Sequence, residues 1–131
     1  MMESKTKKKI LIADNEFHVA QVVVIKFRNN GFVVHIAENG QEALDMAIKH
    51  DPDIIVADAE MPVMPGQDFV KKLRGSKDGE NVPVVMLTAS GSKIAEKVKQ
   101  QLGISDCVSK PFSPRELLQK VNEVLCQAAK P

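Results

Sequence analysis

The sequence lacks a dominant charge: 18 basic side chains face 17 acidic ones, for a net charge of +1. A balance so near neutral gives no electrostatic footprint for nucleic acid or a membrane surface. Tryptophan and tyrosine are absent, and five phenylalanines make up the whole aromatic share. The two cysteines, Cys107 and Cys126, fit no CxxC or zinc-ligand spacing. There is no secretory signal pattern and no apolar run long enough to span a bilayer, so a reducing cytoplasm is the expected location. Repeats and internal linkers are missing too, and 131 residues are one domain's worth of chain.

What is present is ordinary soluble composition, 44% apolar and 27% charged, enough to bury a core without disulfides or metal. The central stretch is Asp53 to Gly66, DIIVADAEMPVMPG. Its apolar run is too short for a helix and ends in Asp58, so it predicts a buried strand that delivers one carboxylate at its C-terminal edge. Met61-Pro62 and Pro65-Gly66 then force a loop, because proline cannot donate to a sheet ladder and glycine readily turns the chain.

The rest of the chain alternates in the same way. Residues 1–8 predict a basic, disordered tail. Ile10–Ala13 reads as a strand ending in Asp14-Asn15-Glu16. Over Phe17–Asn30 the β-branched run Val22–Ile25 would suit a strand, but Ala20, Val23, Val24 and Phe27 recur at helical spacing and Asn30-Gly31 gives a stop, so a helix is expected. Phe32–Ala37 follows as a strand. A helix starting at Asn39-Gly40 is expected to bury Ala43, Leu44, Ala47 and Ile48 before His50-Asp51-Pro52 ends it. Phe69, Val70 and Leu73 mark a short helix, and Val82–Thr88 a strand closed by a hydroxyl. The small residues Ala89-Ser90-Gly91 lead to a weakly apolar helix through Ile94, Val98, Gln101 and Leu102, expected to be the least firmly packed. Asp106–Ser109 is the last strand, leading to Lys110-Pro111. Ser113-Pro114-Arg115-Glu116 sets a capped start for a final helix with Leu117, Leu118, Val121, Val124 and Leu125 inward. Such alternation with short connections implies an α/β fold with a parallel sheet covered on both faces.

A parallel sheet brings its strand ends to one edge, so Asp14-Asn15-Glu16, Asp58, Thr88 and Lys110 should converge there. Oxygen ligands without histidine or cysteine suit a hard cation such as Mg²⁺. The ammonium and hydroxyl can hold an anion, and together these groups describe a phosphoryl site with Asp58 as nucleophile.

On ILIADNE, DIIVADAEMPVMPG, PVVMLTAS and SKPF, in that order and spacing, residues 9–127 resemble a receiver domain of two-component response regulators, of the stand-alone chemotaxis-regulator type. The resemblance implies a flavodoxin-like (βα)5 three-layer sandwich with strand order 2-1-3-4-5, between tails at 1–8 and 128–131. It implies that Asp58 is phosphorylated by a histidine kinase or histidine phosphotransfer protein, with Mg²⁺ held by Asp14, Asn15, Asp58 and the main-chain carbonyl of Glu60. Thr88 and Lys110 would grip the phosphoryl oxygens, and the Lys110-Pro111 bond would be cis. A downstream protein partner would dock on the fourth helix, fifth strand and fifth helix; no nucleic acid or membrane is implied, nor enzyme activity beyond slow self-catalysed phosphorylation and dephosphorylation. Two departures stand out: Asn15 replaces a second aspartate, and Cys107 replaces a switching aromatic. Asn15 supports the alternative of a phosphorylation-independent interaction module. A flavodoxin-like enzyme is disfavoured, because no glycine-rich loop follows the first strand and Glu60 breaks an Asp-x-Asp pair at Asp58.

Overall fold

A computed structural model describes residues 7–77, 79–89 and 94–128, with the main chain alone over 17–20. Residues 1–6 of the tail expected over 1–8, the Ser90-Gly91 segment, the last three residues and the side chain of Ala20 lie outside the described residues. Strands and helices alternate as β1 (Lys9–Ala13), α1 (Phe17–Asn29), β2 (Val33–Ala37), α2 (Gly40–His50), β3 (Ile54–Asp58), α3 (Gly66–Arg74), β4 (Val84–Thr88), α4 (Glu96–Leu102), β5 (Ile104–Ser109) and α5 (Pro114–Ala128). The strands form one parallel sheet in the order β2-β1-β3-β4-β5, as expected.

β3 and β4 are buried along their whole length, which is why both read as unbroken apolar runs rather than alternating ones. On one face Ile12, Val56 and Leu87 pack under Val23 and Phe27 of α1 and Leu117 and Val121 of α5. On the other, Leu11, Ile55 and Met86 pack under Ala47 of α2 and Phe69 and Leu73 of α3. The valine-rich segment is indeed helical: Val23, Val24 and Phe27 are buried while Val22 and Ile25 face outward. Helical period there outweighs β-branched preference.

The ends follow the sequence signals. Asn39 accepts the Glu42 N–H at 2.9 Å, and α2 stops at Asp51, whose φ of 48° is left-handed, just before Pro52. Ser113 and Glu116 form the expected reciprocal cap of α5, Glu116 N–H to Ser113 Oγ at 3.1 Å and Ser113 N–H to Glu116 Oε1 at 2.9 Å. The Lys110-Pro111 bond is cis.

Three expectations need correction. Ile48 is 48% exposed, because the buried line of α2 runs through Gly40, Ala43 and Ala47, and Ile48 lies one position round from it. α4 begins at Glu96, after Ile94, and none of its residues is buried, which fits the weak stripe seen in the sequence. β5 starts at Ile104 rather than Asp106: Gly103, with φ of 66°, ends α4 and turns the chain directly into the sheet.

Candidate functional site

The C-terminal edge of the sheet gathers the polar strand ends. Asp58 closes β3 and is 3% exposed, Asp14 follows β1 at 2%, and Thr88 closes β4, also buried. Lys110 follows β5 and is fixed at this edge by its main chain, whose N–H donates to the Thr88 carbonyl at 2.8 Å. Its ammonium hydrogen-bonds Asp58 Oδ2 and, at 2.5 Å, Glu16 Oε1. Asp58 Oδ1 accepts the Glu60 N–H at 2.9 Å, and Asp14 Oδ1 accepts the Glu16 N–H at 2.9 Å. Both aspartates therefore set the direction of the loop that follows them through one oxygen and leave the other for the cleft.

Oxygen atoms of Asp14, Glu16 and Asp58 all lie within 4.8 Å of one another. Asp14 Oδ2 is buried without a hydrogen-bond partner among the described residues, 3.9 Å from Lys110 Nζ. An orphaned buried carboxylate oxygen is costly unless a cation satisfies it, and this all-oxygen set suits a hard divalent ion. Burial pushes the Asp14 carboxyl up to about 6, against the lowering effects of its backbone hydrogen bond and of Lys110. Burial also works against the Lys110 ammonium, but its hydrogen bonds to Asp58 and Glu16 and the charge of Asp14 overcome that and hold it well above the ordinary lysine value.

An open cleft of about 590 Å³ lies over these groups, lined by Asn15, Glu16, Asp58, Glu60, Ala89, Lys110, Pro111 and Phe112. Asp14, Asp58, Thr88 and Lys110 thus converge as the sequence predicts. Asn15 and Glu60 line the cleft and both are exposed, and Glu60 is tied to Asp58 through its main-chain N–H. The sequence allows the longer Glu16 side chain to turn toward a metal and offset Asn15, but it does not foretell the reach across to Lys110. The one signal was a third polar residue at the end of β1, which a helix start explains equally well.

Residues 10–122 match the family described as the response regulator receiver domain. The chain is 34% identical over 124 residues to "Probable transcriptional regulator ycf27" of Guillardia theta, a match covering 95% of this chain and 48% of that protein. It therefore spans about half the length of the curated relative it matches. The chemotaxis response regulator CheY4 of Vibrio cholerae superposes with a TM-score of 0.84 at 34% identity, over 91% of this chain and 99% of that one. The receiver domain of the sensor histidine kinase PA1611 of Pseudomonas aeruginosa PAO1, with a magnesium ion coordinated in its active-site cleft, gives 0.82 at 25% identity, over 92% and 99%.

Proposed function

The chain belongs to the response regulator receiver domain family of two-component systems, and on that premise we propose that Asp58 accepts a phosphoryl group from the phosphohistidine of a histidine kinase or histidine phosphotransfer protein. The observation that carries this reading is the Asp58–Lys110 pair, a buried carboxylate at the end of a central strand, held by one ammonium and open to a cleft. The acceptor unit is taken as residues 9–127.

An Asp58 carboxylate oxygen attacks phosphorus, and the electron pair of the breaking P–N bond stays with the donor imidazole. Lys110 must then exchange carboxylate oxygens for phosphoryl oxygens, which its rotatable ammonium can do without main-chain movement. Thr88, at the end of the neighbouring strand, offers its hydroxyl to the same group. The side chains of Asp14, Asn15 and Asp58 and the main-chain carbonyl of Glu60 would hold Mg²⁺, which when bound neutralises charge building on the phosphoryl oxygens. The protein is a phosphoacceptor whose chemistry is confined to its own carboxylate.

The signal leaves through a protein partner on α4, β5 and α5. The absence of any buried residue in α4 supports this choice, since so lightly packed an element shifts at low cost. Asn15 favours the second reading, a module that binds partners without being phosphorylated. Intact mass after treatment with acyl phosphate and Mg²⁺ separates the two. The wild-type chain should gain one phosphoryl group and Asp58→Asn none; no gain in the wild type leaves the interaction module.

A further inference from the structure

Glu16 opens α1 as its N-cap, with φ −92° and ψ 95°, yet its side chain makes no capping hydrogen bond, and no acid follows in the first turn. The helix start therefore goes without a side-chain cap. The carboxylate is turned into the cleft instead, onto Lys110, although its side chain is 53% exposed and has solvent open to it.

Two further facts bear on why. Asp14 Oδ2, buried and without a hydrogen-bond partner among the described residues, faces the same cluster 3.9 Å from Lys110 Nζ. Among the described residues three carboxylates face one ammonium and leave two negative charges, the number a single divalent cation cancels. Asn15, beside Glu16, offers an amide oxygen and no charge.

We propose that Glu16 is the third carboxylate of the divalent-cation site, supplying the charge that Asn15 lacks, and that it leaves Lys110 when the cation binds. This rests on the reading of the cleft as a metal-assisted acceptor site. While it holds Lys110, Glu16 occupies the ammonium that the phosphoryl group needs, and its move to a bound cation would free that ammonium. The long, half-exposed side chain has the reach and freedom for that exchange.

Mn²⁺, a hard oxygen-seeking probe, can be titrated into the metal-free full chain and the free ion counted by electron paramagnetic resonance. Glu16→Gln keeps the size of the side chain and removes only its charge. It should weaken Mn²⁺ binding about tenfold, with an unchanged far-ultraviolet circular dichroism spectrum, and adding Asn15→Asp should restore most of the loss. Bound Mn²⁺ should also broaden the carbon-13 signal of the Glu16 side-chain carboxylate. Equal or tighter binding by Glu16→Gln, or a sharp Glu16 signal, overturns the proposal. Asp14→Asn tests the underlying reading: if it binds as the wild type does, or the wild type does not bind at all, the metal site itself falls, and the proposal with it.

Discussion

The ammonium of Lys110 pairs with the carboxylate of Asp58 across β4, tying the ends of two strands that are not hydrogen-bonded to each other. A charge that arrives on Asp58 must therefore be felt at β5. In Lys110→Ala the fold should persist, because the lysine lies at the rim of the sheet. After acyl-phosphate labelling, however, amide chemical-shift changes over residues 94–112 should shrink markedly against the wild type. A response of the same size would remove Lys110 from the coupling.

Asp14 should make metal-free stability depend on pH. Its folded value, raised by burial to about 6, exceeds the usual unfolded value of about 3.9. The fold therefore favours the protonated form, and the stabilising contribution is full below the unfolded value and lost as pH rises through about 6. Metal-free protein should gain about 1 to 3 kcal/mol between about pH 7 and pH 4 from this group. Asp106 works oppositely in a lower window: although burial alone would raise it, its hydrogen bonds to Lys120 and the Cys107 N–H lower its value, so its contribution fades only as pH falls through that lowered value. Urea unfolding in chelator at several pH values reads the difference. Asp14→Asn should flatten the slope and be the more stable protein near neutrality; a parallel profile would show that the buried carboxyl carries no such penalty.

Arg74 donates four hydrogen bonds to main-chain carbonyls: Leu102 at 2.8 Å, Gly79 at 2.9 Å, Val82 at 2.7 Å and Gly103 at 2.9 Å. It clamps the end of α3 to the loop before β4 and to the end of α4. Arg74→Met should cost about 1 to 3 kcal/mol by orphaning half-buried carbonyls and should speed amide hydrogen exchange in α4 more than in α2. Equal acceleration in both helices would mean that the clamp has no special hold on α4.

Glycine positions differ sharply in tolerance. A Cβ on Gly66 would lie 2.4 Å from the Asp58 carbonyl oxygen and 2.9 Å from Ala59 Cα, both main chain beside the proposed acceptor. Gly66→Ala should cost about 2 to 4 kcal/mol and reduce labelling of Asp58. At Gly75 the same Cβ meets only the Lys72 carbonyl oxygen at 3.4 Å, so Gly75→Ala should fall within about 0.5 kcal/mol of wild type. Thermal melts of the pair that coincide would contradict this.

The polar sheet edge was legible because it follows from topology alone: once Ile54–Asp58, Val84–Thr88 and the strand ending at Ser109 belong to one parallel sheet, Asp58, Thr88 and Lys110 must meet. Helix α1 was legible from its period despite its valines. Long side chains that find partners only after folding were not. Arg74 looks in the sequence like any basic residue in a last helical turn, since its acceptors exist only once three segments converge. Glu16 and Lys110 are 94 positions apart, and nothing local distinguishes a glutamate that caps a helix from one that turns away. Ile48 was misplaced because an apolar side chain one step round a short helix satisfies the same spacing rule as one facing inward.

The β4–β5 pairing slips by one: Val84 faces Ile104 and Val85 faces Asp106, so Ser105 has no opposite number. Side chains on a strand alternate like even and odd integers, and one supernumerary residue inverts the parity of all that follow. Ile104 and Cys107 consequently share the α2, α3 and α4 side, while Asp106 turns toward Lys120 on α5, 2.9 Å away, and Val108 joins the core beneath α1 and α5. The same sequence paired without the slip would exchange the two faces of the strand beyond Ile104, whereas deleting Ser105 would leave a regular ladder with the same pairs and the same faces. The site at the far end of β5 is thus specified partly by counting: Ser109 lies opposite Thr88, and Lys110 next beyond it, because the chain spends one extra residue before it gets there.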